Sequence, residues 1–281
     1  MISKNQNNAV VNFYDTHPIN EWEIIQKLRQ DGVDLAGVTE DDLQRYDQDH
    51  YGGLAANDAL AEAASIDADC HVLDVCCGMG GPARYFAHRL GCRVSGVDLT
   101  ESRVDGAQYL TEIAGLDHLV DLQQGNALDL PFADETFDVV VSQEAFCHVP
   151  HKDRLVAECV RVLKPGGRFA FTDIFTTART DEPTRERLNA GMTFQELAAA
   201  DDYRAYLEAE GCAVSITDLS ATWRDILARR LEMYRGLKDE TVNRYGATHF
   251  DRWDDNYSFF VGLYRTGALG GGRVLATKAA R

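Results

Sequence analysis

From residue 71 onward, short apolar runs alternate with stretches of helical period, and this alternation limits the possible folds more than any other feature of the chain. Strand, helix, strand order with nearly continuous apolar strands is typical of a parallel sheet that helices cover on both faces. The sequence therefore predicts a doubly wound α/β core. Strands are predicted at residues 71–76, 92–97, 119–123, 137–142 and 168–174, with helices at 81–90, 101–114 and 151–163.

The segment before this core predicts helices and a glycine turn. "HPINEWEIIQKLRQDG" (17–32) indicates a helix that Pro18 opens and Gly32 ends, because proline suits the first helical turn and glycine the position after the last. A short helix with Thr39 as N-cap follows, and then a Gly-Gly turn runs into an Ala-rich helix. We expect residues 1–53 to form an N-terminal helical strap over the candidate site and residues 54–281 to form the main domain.

The segment after the core adds a second helical region. Residues 181–211 have a helical pattern, "AVSITDLS" alternates as a strand, and residues 222–264 are helical and rich in aromatic side chains. "GGGRVLATKA" closes the chain as a final strand. We expect helical cap insertions at about residues 176–211 and 222–266.

Charge and hydropathy disfavour several classes of partner. A net charge of −17 over 281 residues, without a local basic stripe, predicts that the protein repels a phosphate backbone, so we expect no nucleic-acid partner. No apolar run approaches the ~20 residues that span a bilayer. The first residues also lack the apolar core of a signal peptide. We therefore expect a cytoplasmic protein with no membrane partner.

The seven cysteines are scattered and form neither a C-x-x-C pair nor a zinc-site spacing, so we expect reduced thiols and no bound metal. Cys76 and Cys77 are adjacent at the end of the first predicted strand. Consecutive strand residues point to opposite faces of a sheet, so the two thiols are not expected to act together. We predict that they are small packing residues.

A glycine-rich turn after the first strand is the candidate ligand loop. "VLDVCCGMGGPARYFAH" (72–88) runs from strand through turn to helix, and such a turn lets the backbone approach a ligand at a helix N-terminus. It meets neither the G-x-G-x-x-G dinucleotide pattern nor the Gly-Lys-Ser/Thr of a Walker loop. Asp74 lies inside the strand, where a carboxylate needs a partner. Asp98 closes the second strand, where an acidic residue meets ribose hydroxyls. Two carboxylates thus flank one predicted pocket.

Two further segments complete the pattern: "GNALDLPFADETFDVVVSQEAFCHV" and "VLKPGGRFAFTDI". With them, residues 72–175 resemble the class I S-adenosylmethionine-dependent methyltransferases, and the closing strand fits that family's antiparallel last strand. The chain looks most like the branch of sarcosine/dimethylglycine and phosphoethanolamine N-methyltransferases. The resemblance implies a Rossmann-like, seven-stranded sheet of order 3-2-1-4-5-7-6, with S-adenosylmethionine as cofactor.

The resemblance also implies roles for single residues. Asp98 would bind the ribose hydroxyls, Asn126 and Ala127 would lie by the adenine, and Gln143 would face the transferring methyl group. The strap would fold over the cofactor through its last residues. The implied cofactor contacts are Tyr51, Gly52, Asp74, Gly78, Gly80, Asp98, Leu99, Asn126, Ala127 and Gln143.

His148 and Gln143 are the candidate catalytic residues. His148 follows the fourth strand, and its near-neutral reference pKa suits a general base. The alternative is a histidine that lines the pocket or stabilises its loop. An amine nucleophile needs only to be deprotonated, oriented and aligned with the methyl group.

We expect an enzyme that transfers a methyl group from S-adenosylmethionine to a small-molecule acceptor, an amine of the sarcosine or dimethylglycine kind. Two alternatives stay open: C- or O-methylation of a larger metabolite such as a quinone, sterol or phenol, and cofactor binding without turnover. The protein could be a monomer or a homodimer. The aromatic side chains of residues 222–264 could be core or could face a methylated ammonium through cation–π contacts. The candidates for such contacts are Trp223, Tyr234, Tyr257 and Phe260.

Overall fold

The computed structural model describes residues 4–15 and 19–280. Pro18, the predicted opener of the first helix, lies outside the described residues. The helix begins at Glu21, after the Asn20 side chain accepts a hydrogen bond from the Glu23 N–H at 3.0 Å. The helices are α1 (Lys4–Asp15), α2 (Glu21–Gln30), α3 (Glu40–Leu43), α4 (Leu54–Ala63), α5 (Gly81–Leu90), α6 (Glu101–Ile113), α7 (Lys152–Arg161), α8 (Glu182–Met192), α9 (Ala200–Ala209), α10 (Ser220–Gly236), α11 (Lys238–Tyr245) and α12 (Ala247–Thr266).

The strands are β1 (His71–Val75), β2 (Arg93–Asp98), β3 (Val120–Gln124), β4 (Phe137–Gln143), β5 (Leu163–Thr176), β6 (Cys212–Asp218) and β7 (Leu269–Lys278). Among the described residues they form one seven-stranded sheet in the order β3-β2-β1-β4-β5-β7-β6. Strands β1 to β5 pair in parallel, and β7 is antiparallel to both β5 and β6. The predicted fold class, with its antiparallel last strand, is confirmed.

Both faces of the sheet are buried, as the continuous apolar strands predict. On β4, Val139 and Val141 pack with α5 on one face, whereas Val140 packs with α7 on the other. This division follows the two-residue period of a strand. The layered core holds the carboxyl ends of the parallel strands at one edge of the sheet.

The strap packs against this edge through an apolar cluster and a buried charge cluster. Leu28 of α2 and Leu43 of α3 contact Met79 and Leu110 in the apolar cluster. Arg84 of α5 donates to Asp47 at 2.8 Å and lies 3.3 Å from the Glu40 carboxylate, and all three side chains are fully buried. Burial outweighs the attraction of the guanidinium and raises the pKa of Glu40 to about 9. The boundary at residue 53 stays a prediction.

The predicted helical stretch at 222–264 consists of three helices, α10, α11 and α12. The last two are separated at Gly246, whose φ of 86° favours glycine. Helices α8, α10 and α12 share one apolar cluster with the end of β5 and the start of β7. Within the described ranges, no helix combines the length and apolar character needed to cross a membrane.

Candidate active site

A cavity of about 760 Å³ lies at the carboxyl ends of β1, β2 and β4. Its floor comes from the loops after these strands, and its walls come from the strap, including α1, and from α8 and the helices α10 to α12. A second cavity of about 40 Å³ adjoins it and is lined by residues 97–99, 125–128 and 148–150 among others. Ligands of open α/β sheets bind in the crevice outside the carboxyl ends of the strands, so this is the candidate active site.

The glycine loop turns sharply through left-handed backbone conformations. Cys76, Gly78 and Gly80 have φ values of 62°, 53° and 73°. A side chain at Gly80 would place its Cβ 3.0 Å from Arg84 Nη1 and 3.1 Å from Leu122 Cδ1, so both conformation and space require glycine there. Cys76 is therefore not a strand residue, which corrects the predicted end of the strand at residue 76.

The Asp98 carboxylate holds this loop. Its Oδ2 accepts a hydrogen bond from the Gly78 N–H at 2.9 Å, and its Oδ1 accepts one from the Thr100 N–H at 2.9 Å. Each carboxylate oxygen can accept a further bond. Because Asp98 lines both cavities, it can bind hydroxyl groups of a ligand while it positions the loop.

Asp74 and Gln143 present unsatisfied polar atoms to the cavity floor. Oδ2 of Asp74 and both amide atoms of Gln143 are buried without a hydrogen-bond partner among the residues that the structure describes. Burial, together with the nearby charge of Asp98, raises the pKa of Asp74 to about 8. Buried polar atoms need partners, so these residues fit a ligand that carries both donors and acceptors, such as the amino-acid end of S-adenosylmethionine.

The other predicted cofactor residues divide into two groups. Tyr51 and Leu99 line the large cavity, and Asn126 and Ala127 line the small one. As far as the described residues define the two cavities, neither is lined by Gly52 or Gly80. The implied contact roles of these two glycines therefore stay predictions.

His148 lies in the cavity wall and is held from two sides. Its Nδ1 lies 3.1 Å from the Thr193 carbonyl, and its Nε2 lies 3.0 Å from the Tyr14 hydroxyl. The Thr193 hydroxyl also lies 3.2 Å from Nδ1. Because the carbonyl can only accept, a neutral ring that bonds it carries its proton on Nδ1, and Nε2 then accepts from Tyr14. Burial raises the pKa of Tyr14 well above its usual range, so this phenol stays protonated.

The sequence did not predict two residues of the site. Tyr14 belongs to α1, which has no strong pattern and meets His148 only in the folded chain, 134 residues apart. Glu144 follows Gln143 at the end of β4, lines the cavity and has a φ of 46°. Its carboxylate accepts from the Tyr51 N–H at 2.5 Å, and burial raises its pKa to about 7. A charged residue directly after an apolar strand was the available signal, and a strained backbone with a shifted pKa is typical of functional sites.

The aromatic candidates of the cap are now separated. Tyr234 and Tyr257 line the cavity together with Trp253, whose ring stacks on Tyr257 at a centroid distance of 5.1 Å. Trp223 and Phe260 are 2% and 0% exposed and belong to the apolar cluster of the cap, outside the cavity lining that the described residues form. Trp223 and Phe260 are therefore core residues, whereas Tyr234 and Tyr257 lie where they could contact a substrate, and their cation–π role stays a prediction.

A guanidinium stands at this aromatic wall. Arg230 lies 5.2 Å from the ring centroid of Tyr51 and donates to the carbonyls of Asp49 at 3.2 Å and His50 at 2.6 Å. Within the described part of the chain, no carboxylate lies close enough to form an ion pair with it. Asp49 and Glu144, which also line the cavity, act on this charge at longer range. The guanidinium lines the cavity and can donate to an anionic group there.

The cysteines of the chain are free thiols, all seven of them. Burial raises the pKa of the Cys76 and Cys77 thiols well above the usual range, which disfavours the reactive thiolate. The raised pKa values agree with the packing role predicted for this pair. Across residues 4–15 and 19–280, no three His, Cys, Asp or Glu side chains are grouped as a metal site.

The strand order and the antiparallel seventh strand are those of the fold that the resemblance to class I methyltransferases implies. Residues 73–171 match the model of a family described as "Methyltransferase domain".

Relatives of known name agree with this class. The chain is 41% identical over 105 residues to a sarcosine/dimethylglycine N-methyltransferase of Halorhodospira halochloris, which covers 37% of this chain and 38% of that protein. It is 37% identical over 147 residues to a sterol methyltransferase-like protein 2 of Botryococcus braunii, which covers 52% of this chain and 38% of that protein. The match therefore spans well under half the length of either relative.

The fold is similar to that of a putative sarcosine dimethylglycine methyltransferase from Galdieria sulphuraria, with a TM-score of 0.76 at 20% identity. The alignment covers 88% of this chain and 92% of that one. At this identity the likeness concerns the fold.

Proposed function

We propose that the protein transfers a methyl group from S-adenosylmethionine to a small acceptor that carries both an amine and an anionic group. The observation that carries the cofactor part of the proposal is the pair of unsatisfied residues on the cavity floor, Asp74 and Gln143. The acceptor part depends on Glu144 and Arg230, which line the same cavity. The opposite wall, formed by the cap, leaves room for a second molecule, since cavities of roughly 300–1,000 Å³ bury a drug-sized ligand.

Three groups of residues would hold the cofactor. Asp74 would accept from its ammonium group, Asp98 would accept from its ribose hydroxyls, and the small cavity beside Asn126 would take the adenine. S-adenosylmethionine supplies an electrophilic methyl group on a sulfonium. The glycine loop would place its backbone against the ligand, and the strap residue Tyr51 would cover it and exclude water.

Glu144 would receive the proton of the acceptor. An amine reaches the site mostly as an ammonium and must lose one proton before its lone pair can attack the methyl group. A carboxylate with a pKa near 7 is suited to accept that proton at neutral pH and to release it to solvent later. Glu144 lies beside Gln143 on the same wall, so the two residues would orient the amine between them.

Arg230 would bind the anionic group of the acceptor. Its guanidinium faces the cavity without a carboxylate partner in the described chain, and guanidinium groups bind carboxylate and phosphate well. It also changes the role expected for the aromatic wall, because a cation already stands beside Tyr51. The rings of Tyr234, Trp253 and Tyr257 would then shape the pocket around the uncharged part of the acceptor.

His148 would hold α1 in place at one side of the cavity through its hydrogen bond with Tyr14. Its Nε2 orients the Tyr14 hydroxyl, and the pair could relay a proton if the acceptor required a stronger base than Glu144. A second candidate function, C- or O-methylation of a larger metabolite, is favoured by this pair and by the aromatic wall. The sterol methyltransferase-like relative supports the same candidate.

The test is an acceptor panel with labelled S-adenosylmethionine. Sarcosine, dimethylglycine, glycine and phosphoethanolamine carry amine and anion; ethanolamine lacks the anion; phenols, quinols and sterols lack the amine. Turnover of an anionic amine, with ethanolamine at least tenfold poorer in kcat/KM, supports the proposal. Turnover of phenols, quinols or sterols alone favours the second candidate. Binding of S-adenosylhomocysteine without turnover of any acceptor favours a cofactor-binding protein.

A further inference from the structure

A buried lysine holds the turn that carries His148. Lys152, in the first turn of α7, is fully buried, and its ammonium donates to the Phe146 carbonyl at 2.5 Å and to the Val149 carbonyl. These carbonyls stand before and after His148 in the chain. One ammonium is therefore hydrogen-bonded to the turn both before and after His148.

The same ammonium reaches the segment that holds the imidazole from the other side. Lys152 Nζ donates to the Glu196 carbonyl at 2.8 Å. Three residues earlier in the chain, the Thr193 carbonyl lies 3.1 Å from Nδ1 of His148. Lys152 thus joins the two segments, 146–149 and 193–196, that fix the position of the ring.

A buried carboxylate of the sheet accepts a hydrogen bond from the same turn. Asp173 of β5 accepts from the Cys147 N–H at 3.2 Å and from the Tyr203 hydroxyl at 2.6 Å, and it is fully buried. Replacing buried opposite charges by apolar side chains is often neutral or stabilising. A contribution to stability therefore does not by itself explain a buried lysine and a buried aspartate at these positions. Both side chains are hydrogen-bonded to the turn that carries His148.

We propose that Lys152 and Asp173 are positioning residues for His148. Together they fix the imidazole in its Nδ1–H form, with Nε2 available to Tyr14 on the cavity side. Neither Lys152 nor Asp173 lines the cavity as the described residues form it, so both act through the histidine. The inference rests on the placement of His148 in the proposed active site.

The first test reads the imidazole directly and requires no acceptor. The full chain is labelled with ¹⁵N-histidine, and His148→Gln assigns the signal among the eight histidines. The wild type should show the Nδ1–H tautomer, and Lys152→Met should show a mixture of tautomers that titrates like an exposed histidine. The matched control is Lys278→Met, since Lys278 donates to the carbonyls of Val160 and Leu163 at 2.8 Å, and it should leave the signal unchanged.

A second variant keeps the test decisive if Lys152→Met does not fold. Asp173→Asn weakens the hydrogen bond from the Cys147 N–H and retains Lys152. The His148 signal should therefore shift toward the mixture of tautomers that is expected of Lys152→Met. An unchanged His148 signal in folded Lys152→Met, or in Asp173→Asn when only that variant folds, overturns the proposal. These readings do not depend on methyl transfer, so a failure of the proposed function is distinguishable from a failure of the inference.

Turnover supplies an independent reading with an acceptor from the panel. Lys152→Met should lower kcat by about 10- to 100-fold, the range for a displacement of about 1 Å in an active site, because the wall that His148 and Tyr14 form would shift. The KM for S-adenosylmethionine should stay within about twofold, because the cofactor floor does not contact the lysine. In the His148→Gln background the same substitution should cause no further loss. An equal loss in both backgrounds overturns the proposal.

Discussion

The backbone N–H of Tyr51 donates to the carboxylate of Glu144 at 2.5 Å, and this bond joins the strap to the end of β4 across 93 residues of sequence. The same carboxylate lines the cavity. The strap and the proton-accepting group of the proposed site are therefore connected through the side chain of Glu144. The left-handed φ of 46° at Glu144 costs about 1–3 kcal/mol, which the surrounding contacts offset.

Glu144→Gln should remove the inflection near pH 7 from the pH profile of methyl transfer to an amine. In the wild type, kcat/KM should rise as pH increases from 6 to 8, because the carboxylate with its pKa of about 7 must be ionised to take the proton. The variant should lose at least 100-fold at pH 8, and its remaining kcat/KM should follow the fraction of free amine, rising steadily with pH without levelling off above pH 7. Steady-state kinetics test this, with Glu208→Gln, an exposed glutamate on α9, as control. A parallel rise in wild type and variant would refute the role.

The same substitution should stabilise the ligand-free protein at high pH. Burial raises the pKa of Glu144 from an ordinary value near 4.5 to about 7, so the folded state holds its proton over a range in which the unfolded state has lost it. Stability then decreases as pH rises from 4.5 to 7, by about 3 kcal/mol in total. Urea unfolding at pH 5 and pH 8 should show Glu144→Gln gaining stability relative to wild type only at pH 8.

Cofactor binding should release a proton below pH 8. Asp74 has a pKa of about 8 in the free protein, so it is mostly neutral at pH 7, and a bound ammonium favours its carboxylate form. Affinity for S-adenosylhomocysteine should therefore rise from pH 6 to pH 8 and level off above. Calorimetry in two buffers of different ionisation enthalpy measures the released proton. Asp74→Asn should bind more weakly and release none; equal release by wild type and variant would assign the proton to another group.

Arg230→Met should separate acceptor binding from cofactor binding. Hydrogen bonds to charged groups contribute about 1.5–3 kcal/mol, so the KM for an anionic amine should rise by about 10- to 100-fold. The dissociation constant of S-adenosylhomocysteine should change less than this KM, because Arg230 would reach the cofactor only through the strap, where it holds the carbonyls of Asp49 and His50. The control is Arg235→Met on the same helix, where the arginine is paired with Asp254 at 2.6 Å outside the site. An equal effect on ethanolamine would show that Arg230 acts on the pocket's shape rather than on an anion.

Local patterns predicted the sheet because its strands are apolar on both faces. Leu73 and Val140 are fully buried in β1 and β4, and continuous burial of this kind leaves a direct trace in the sequence. The acidic residues Asp74 and Asp98 were identified for the same reason, as charges placed against an apolar background. Both residues line the cavity.

Contacts between distant segments could not be predicted in this way. Tyr14 belongs to the site because it is hydrogen-bonded to His148, and Glu144 because it accepts from the Tyr51 N–H. Neither contact produces a periodic pattern in the sequence. The φ of Cys76 was also hidden, because cysteine rarely marks a left-handed turn. The residues that the sequence patterns did not predict are placed by tertiary contacts. The strap, including α1, and the cap bring single side chains to the cavity floor that the core strands form.

The adjacent cysteines should respond oppositely to glycine. Cys76 has a φ of 62°, where glycine is favoured over alanine, so Cys76→Gly should be more stable than Cys76→Ala by about 1 kcal/mol. Cys77 is 5% exposed, and its backbone is not among those with positive φ in the described chain. There, Cys77→Ala should be more stable than Cys77→Gly by about 0.5–1 kcal/mol, because glycine adds only flexibility to the unfolded state. Denaturant unfolding of the four variants decides this, and the same order at both positions would exclude the left-handed turn at Cys76.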